Sequence, residues 1–134
     1  MMIRKIDAAV LFVKDRARCM LFYRDILGLS VTFSDSNSDA FRLEEQDFVL
    51  LDVAAAAEMI GEEALSLQQE AGHRVLLCAG VEDVDATYKM LTAKGVAFIK
   101  TPKSQPWGRR TAYFADPEGN IWEIWHSLPP EHQQ

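Results

Sequence analysis

The sequence is short of cationic side chains, of cysteine and of long apolar runs. Fourteen lysines and arginines stand against twenty aspartates and glutamates, a formal charge of -6 over 134 residues. That deficit argues against nucleic acid, whose binding needs a cationic face to displace counterions, and against anionic membrane surfaces. Two cysteines, Cys19 and Cys78, are too few for a disulfide scaffold and lack the close Cys/His spacing of a zinc site. Both read as small buried apolar residues. The apolar run Ala8 to Val13 is closed by Lys14-Asp15 and is shorter than a secretory h-region. No segment approaches the ~20 apolar residues of a membrane helix. A Gly-rich phosphate loop, a Cys-x-x-Cys pair and a Gly-x-Ser-x-Gly elbow are also missing. What remains is an ordinary globular composition, 49% hydrophobic and 25% charged, at a length suited to one domain. The expectation is a reduced, soluble, cytoplasmic protein.

The chain repeats itself at about half its length. An apolar stretch, Ile6 to Val13, leads through Asp15 into a segment ending at Gly28; Val75 to Val81 leads through Asp83 into one ending at Gly95. Each stretch is rich in Val, Leu and Ala and has the length of a strand covered on both faces. Each following segment has helical spacing: Ala17, Met20, Tyr23 and Leu27 in the first, Val84, Tyr88 and Leu91 in the second. Asp15 and Asp83 are N-cap candidates, and Gly28 and Gly95 can end the helices in the left-handed conformation. Three short strand-like runs follow each helix. In the first half they are Leu29–Phe33, Ala40–Leu43 and Phe48–Val53; in the second, Val96–Lys100, Arg110–Ala115 and Ile121–His126. Pro102 to Pro106 and Asp116-Pro117-Glu118-Gly119 read as turns. The fold class is therefore α+β, two βαβββ modules over residues 4–53 and 73–127. Residues 54–72, rich in Ala, Glu and Gln, join them as a surface helix interrupted at Gly61, and 128–134 form a polar tail.

Two such modules, with Phe114-Ala115-Asp116-Pro117-Glu118-Gly119-Asn120-Ile121-Trp122-Glu123-Ile124 near the end and Trp107-Gly108-Arg109-Arg110 before it, resemble the vicinal oxygen chelate superfamily. This is the group of glyoxalases, bleomycin-resistance proteins and extradiol dioxygenases. The resemblance spans Ile6 to about Trp125. It implies curved mixed sheets around a cleft, helices outside, and a homodimer.

It also implies where a metal would sit. Metal-dependent members place one ligand on the first and last strand of each module, holding Zn, Ni, Mn or Fe. Glu123 matches the ligand of the last strand. The first-strand positions fall on Ala8 and Leu76, and the fourth falls near Leu50 or Leu51, so three of four positions are apolar. Asp7, Asp52, His73 and His126 are adjacent but stand at offsets that turn them to the other face of their strands. No metal is expected.

The cleft then reads as apolar and partly aromatic. Ile6, Val10 and Phe12 share the face of Ala8; Leu76, Cys78 and Gly80 face it from the other module, and Ile121 and Trp125 accompany Glu123. A carboxylate in such a wall is costly unless hydrogen-bonded, protonated or matched by a cation. Arg109 and Arg110 are the nearest cations in sequence. Trp107, Arg110, Tyr113, Glu123, Trp125 and Phe12 are the expected ligand contacts, and Glu123 is the candidate catalytic group should the protein be an enzyme. The leading expectation is a bleomycin-resistance-like protein that binds a small aromatic or cationic molecule without a typical metal site. The alternatives are a metal-dependent lyase, isomerase or dioxygenase with shifted ligands, and a non-catalytic scaffold.

Overall fold

In the computed structural model, residues 2–65 and 75–130 are described. The chain divides into two compact units, Met1–Gly72 and His73–Gln134, and the expected α+β class is what the structure shows.

The first unit runs β1 (Ala8–Val13), α1 (Arg16–Met20), β2 (Val31–Ser34), β3 (Ser38–Leu43), β4 (Gln46–Asp52) and α2 (Val53–Ile60). The sheet order is β1-β4-β3-β2, with β1 parallel to β4 and the other pairs antiparallel. Asp15 caps α1 by accepting from the Arg18 amide at 3.1 Å, satisfying one donor that the first turn leaves open. The helix does not stay α-helical to Gly28, as its spacing suggested. It passes at Leu21 into a π-helical segment, Leu21–Ile26, whose wider turn accompanies the burial of two consecutive aromatics, Phe22 and Tyr23. Tyr23 packs its ring 4.8 Å from that of Phe48 and 6.1 Å from that of Phe41, all three essentially without exposure.

A single guanidinium ties α1 to this sheet. Arg16 reaches Asp52 Oδ1 and Asp39 Oδ1, each at 3.0 Å, and donates to the Ser36 carbonyl at 2.9 Å. Asp52 thus serves the helix side of the sheet, in keeping with the alternation along β4. Beyond β4, α2 ends at Gly61, whose φ of +94° only glycine adopts readily. The continuation of the expected helix through 66–72 lies outside the described residues.

The second unit repeats the plan as β5 (Leu76–Gly80), α3 (Val84–Ala93), β6 (Phe98–Ser104), β7 (Arg109–Ala115) and β8 (Ile121–Ser127), in sheet order β5-β8-β7-β6. Asp83 caps α3 through the Ala86 amide at 3.1 Å. The first amide of α3, that of Val84, donates to His126 Nδ1 at 2.9 Å. His126 is therefore a helix-capping acceptor on the helix side of β8, the face to which its offset from Glu123 turns it. Here too an ion pair joins helix to sheet, with the charges exchanged: Arg110 on β7 grips Asp85 on α3 at 2.6 and 2.8 Å.

One strand is longer than its sequence indicated. Pro102 reads as the start of a turn, yet β6 continues to Ser104 through two register shifts against β7. The strand lies at the sheet edge, where a residue without an N–H removes no ladder bond. The turn itself is Gln105 to Gly108, closed by bonds from the Gln105 amide to the Arg109 carbonyl and from the Gly108 amide to the Gln105 carbonyl.

The β7–β8 turn is held by one side chain. Buried Asp116 accepts from the amides of Glu118 and Asn120 at 2.9 and 2.8 Å, and its second oxygen accepts from Asn120 Nδ2 at 2.9 Å. Gly119 supplies the positive φ of +88°. Asp116→Ala would leave these donors without their acceptor, a loss on the order of 2–3 kcal/mol. A urea midpoint lowered accordingly, with unchanged slope, is expected; a midpoint equal to wild type would show that the turn is held by other means.

Candidate functional site

The β7–β8 ladder sorts the candidate residues onto two faces. Thr111 pairs with Trp125, Tyr113 with Glu123 and Ala115 with Ile121; between them Arg110 pairs with His126, Ala112 with Ile124 and Phe114 with Trp122. Successive side chains alternate, and the second set packs toward α3, where Arg110 meets Asp85 and His126 meets Val84. The first set, with Glu123, points the other way. In β5 the parallel register sets Leu76 beside Ile121, Cys78 beside Glu123 and Gly80 beside Trp125, as the repeat predicted.

At the centre of this face is Glu123, buried with 8% of its surface exposed. Tyr113 donates its hydroxyl to Glu123 Oε1 at 2.6 Å, the short distance of an O–H bond to a charged acceptor. Among the described residues the carboxylate has no ion-pair partner. The two arginines named from sequence take other roles. Arg110 is on the helix face. Arg109 lies with its guanidinium carbon 3.7 Å from the centroid of the Trp125 ring, a cation–π contact. The indole in turn covers Gly80, where a Cβ would come within 3.3 Å of the ring; the glycine makes room for the tryptophan.

Cys78, expected to be buried, is exposed beside this carboxylate. Partial burial, the Glu123 charge and the hydrogen bond to Glu123 all push its thiol pKa up, with Arg109 acting weakly against them. Tyr113 is also raised, by burial and by its bond to Glu123, against a contact from Thr111. Both groups favour their neutral, proton-donating forms in the folded state. The stability they contribute is present below their unfolded pKa values and is lost as pH rises through the raised folded ones.

Two further candidates lie on other elements. Trp107 is 62% exposed in the turn before β7. Phe12 lies on the β1 face with Ala8 and Val10, but packs against the cluster of Leu51, Ala56 and Leu65 beside α2. Sequence reasoning overlooked Gln105, which donates to Thr111 Oγ1 at 3.0 Å, and the lysines of β6, because that strand was ended too early.

The donor set does not fit a divalent metal of the kind the resemblance implies. Val10 pairs with Val49 as Cys78 pairs with Glu123, so the repeat-equivalent of Glu123 is Val49, one residue before the expected pair. Leu51 shares its face and Leu50 is buried on the other. Ala8, Leu76 and Val49 offer no donor atom. Among the described residues no group of three or more His, Cys, Asp or Glu side chains converges; His73 and His132 lie outside them.

Two four-stranded mixed sheets, each built as βαβββ, define the glyoxalase-type fold. The chain belongs to the Glyoxalase/Bleomycin resistance protein/Dioxygenase superfamily, whose sequence profile matches residues 5–124. It is 38% identical over 121 residues to the uncharacterized protein YraH of Bacillus subtilis (strain 168), covering 88% of this chain and 94% of that one. Among solved structures it is similar to a glyoxalase/bleomycin resistance protein/dioxygenase from Nocardioides, at a TM-score of 0.84 and 25% identity over 97% of this chain and 87% of that one. It is also similar to TnmS3, an antibiotic binding protein from Streptomyces sp. CB03234, at a TM-score of 0.69 and 25% identity over 96% and 98% of the two chains. No helix among the described residues is long and apolar enough to cross a membrane.

The site makes a direct prediction about the exposed thiol. Glu123→Gln removes the negative charge that, after burial, keeps the Cys78 thiol pKa raised, so alkylation by iodoacetamide at pH 8 should be faster than in wild type. Buried Cys19 serves as the unreactive internal reference. An unchanged or slower rate would mean that Glu123 does not act on the thiol.

Proposed function

We propose that this chain binds a small molecule with a planar aromatic part and a cationic or hydrogen-bond-donating group, on the face of β5, β7 and β8 that carries Glu123, and that it does so without a metal. The observation that carries this reading is the buried carboxylate of Glu123, hydrogen-bonded by Tyr113 yet lacking an ion-pair partner among the described residues. A carboxylate offers roughly four acceptor positions. Tyr113 takes one of them, which leaves room for a ligand donor. Trp125, fixed by Gly80 and Arg109, supplies an aromatic surface beside it. Sequestration needs affinity and no reacting group, so apolar residues at the metal-ligand positions are no obstacle. The similarity to an antibiotic binding protein supports the same class of activity.

Two measurements test this. The natively purified protein should carry less than about one-tenth equivalent of zinc, nickel, manganese or iron by elemental analysis; a stoichiometric metal overturns the metal-free reading. A planar aromatic cation such as protonated 9-aminoacridine should quench tryptophan fluorescence saturably, and Glu123→Gln should weaken its binding by about tenfold, or ~1.4 kcal/mol. Equal affinity of the variant would remove Glu123 from the ligand site.

A further inference from the structure

The chain carries a net charge of -6, yet next to Tyr113 there is a groove whose charged groups are all cationic. It has a volume of about 470 Å³ and is lined by Lys100, Lys103, Gln105, Thr111 and Tyr113, with Thr101 and Pro102 between the lysines. That volume lies in the range of small-ligand sites, and among the described residues no carboxylate lines it.

The backbone brings the two lysines together. Residues three apart on a regular strand point to opposite faces. Lys100 pairs with Tyr113 and Lys103 with Thr111, so three steps on β6 answer two on β7, and the register shift between them absorbs one residue. The bulge returns Lys103 to the face of Lys100, and both share the face of Thr111, Tyr113 and Glu123. Neither ammonium has an ion-pair partner among the described residues. Lysines on an edge strand also discourage edge-to-edge pairing, but that service requires no particular face. The bulge places both beside a groove whose lining also includes the neutral Gln105 amide, the Thr111 hydroxyl and the Tyr113 ring.

We infer that this groove is an anion subsite, and that the ligand is bipolar, with a carboxylate or phosphate group on Lys100 and Lys103 and its cationic or donor group at Glu123. The inference rests on the small-molecule reading above and names the ligand class of that same face. Lys100, Tyr113 and Glu123 stand side by side on three adjacent strands, so the two ends of the ligand are separated by two strand spacings, about 10 Å. Tyr113 lies between them, its ring on the groove and its hydroxyl on the carboxylate. An all-cationic molecule would be repelled from the lysine end, and a simple dianion from the Glu123 end.

The test is an amide NMR titration of the full-length protein at constant ionic strength, with inorganic phosphate in one arm and acetate in the other, and with chloride as the reference. Saturable shifts confined to β6 and to Thr111 and Tyr113 of β7 are expected, and the arm with the tighter binding identifies the preferred anion. Lys100→Gln/Lys103→Gln should weaken that binding at least about tenfold, whereas Lys89→Gln/Lys94→Gln on α3, with the same change in charge, should leave it unaltered. Equal weakening in both double variants, or no saturable shift in either arm, overturns the anion subsite. Binding of 9-aminoacridine is the separate control. Equal 9-aminoacridine affinity in wild type and Glu123→Gln, together with an intact phosphate or acetate response, would sink the small-molecule reading at Glu123 while sparing the lysine groove. Weakened 9-aminoacridine binding in Glu123→Gln with no phosphate or acetate response would sink the groove alone.

Discussion

The second unit depends on the register between β7 and β8, and that register depends on Asp116. By accepting from two backbone amides and one side-chain amide in a turn of a few residues, this carboxylate sets which residue of β7 stands opposite each residue of β8. A slip of one position would exchange the two faces of a strand. Tyr113 would then leave Glu123, and Arg110, now paired with Asp85 on the helix side, would be carried to the opposite face. The polar turn in the family's sequence signature is thus a structural device, and the site is its consequence.

The two units solve the same packing problem with different residues. Each must dock one helix on one face of a four-stranded sheet, and each does so with an aromatic core and one arginine bound to aspartate across the join. In the first the arginine is on the helix and the aspartates on the strands; in the second the arrangement is reversed. Part-buried pairs of this kind add little net stability when intact, but removing one partner is costly. They hold the helices in place and leave the opposite faces of the sheets free to diverge. Divergence is what those faces show: Val49 on one corresponds to Glu123 on the other.

Glu123 also illustrates how a buried carboxylate can be kept without a cation. Tyr113 donates to it and Cys78 stands beside it on the paired strand, and burial together with the carboxylate raises the pKa values of both groups. The nearby guanidinium of Arg109 is engaged with the Trp125 ring. The result is an anionic, hydrogen-bonded centre beside an aromatic surface, two strands away from a cationic groove. In the proposed function, such alternation of charge along one face would select ligands by the placement of their charges rather than by net charge.

The sequence by itself determined the βαβββ repeat, the helix caps at Asp15 and Asp83, the Asp116 turn, and the face shared by Leu76, Cys78, Gly80, Glu123 and Trp125. These follow from period-two alternation, capping chemistry and turn chemistry, all of which act between residues close in the chain. Tertiary structure decided the rest. That Glu123 is held by Tyr113, that Arg110 belongs to Asp85, and that His126 caps α3 are contacts between residues on different elements, chosen by which partner each face presents. The π-helical segment and the bulge in β6 are the most instructive. Each shifts the phase of a regular period by one residue, so any reading that extrapolates the period past that point assigns the wrong face. Pro102 looked like the end of a strand because proline ends most strands; only its place on the sheet edge, a property of the assembled sheet, let β6 run on and bring Lys103 beside Lys100.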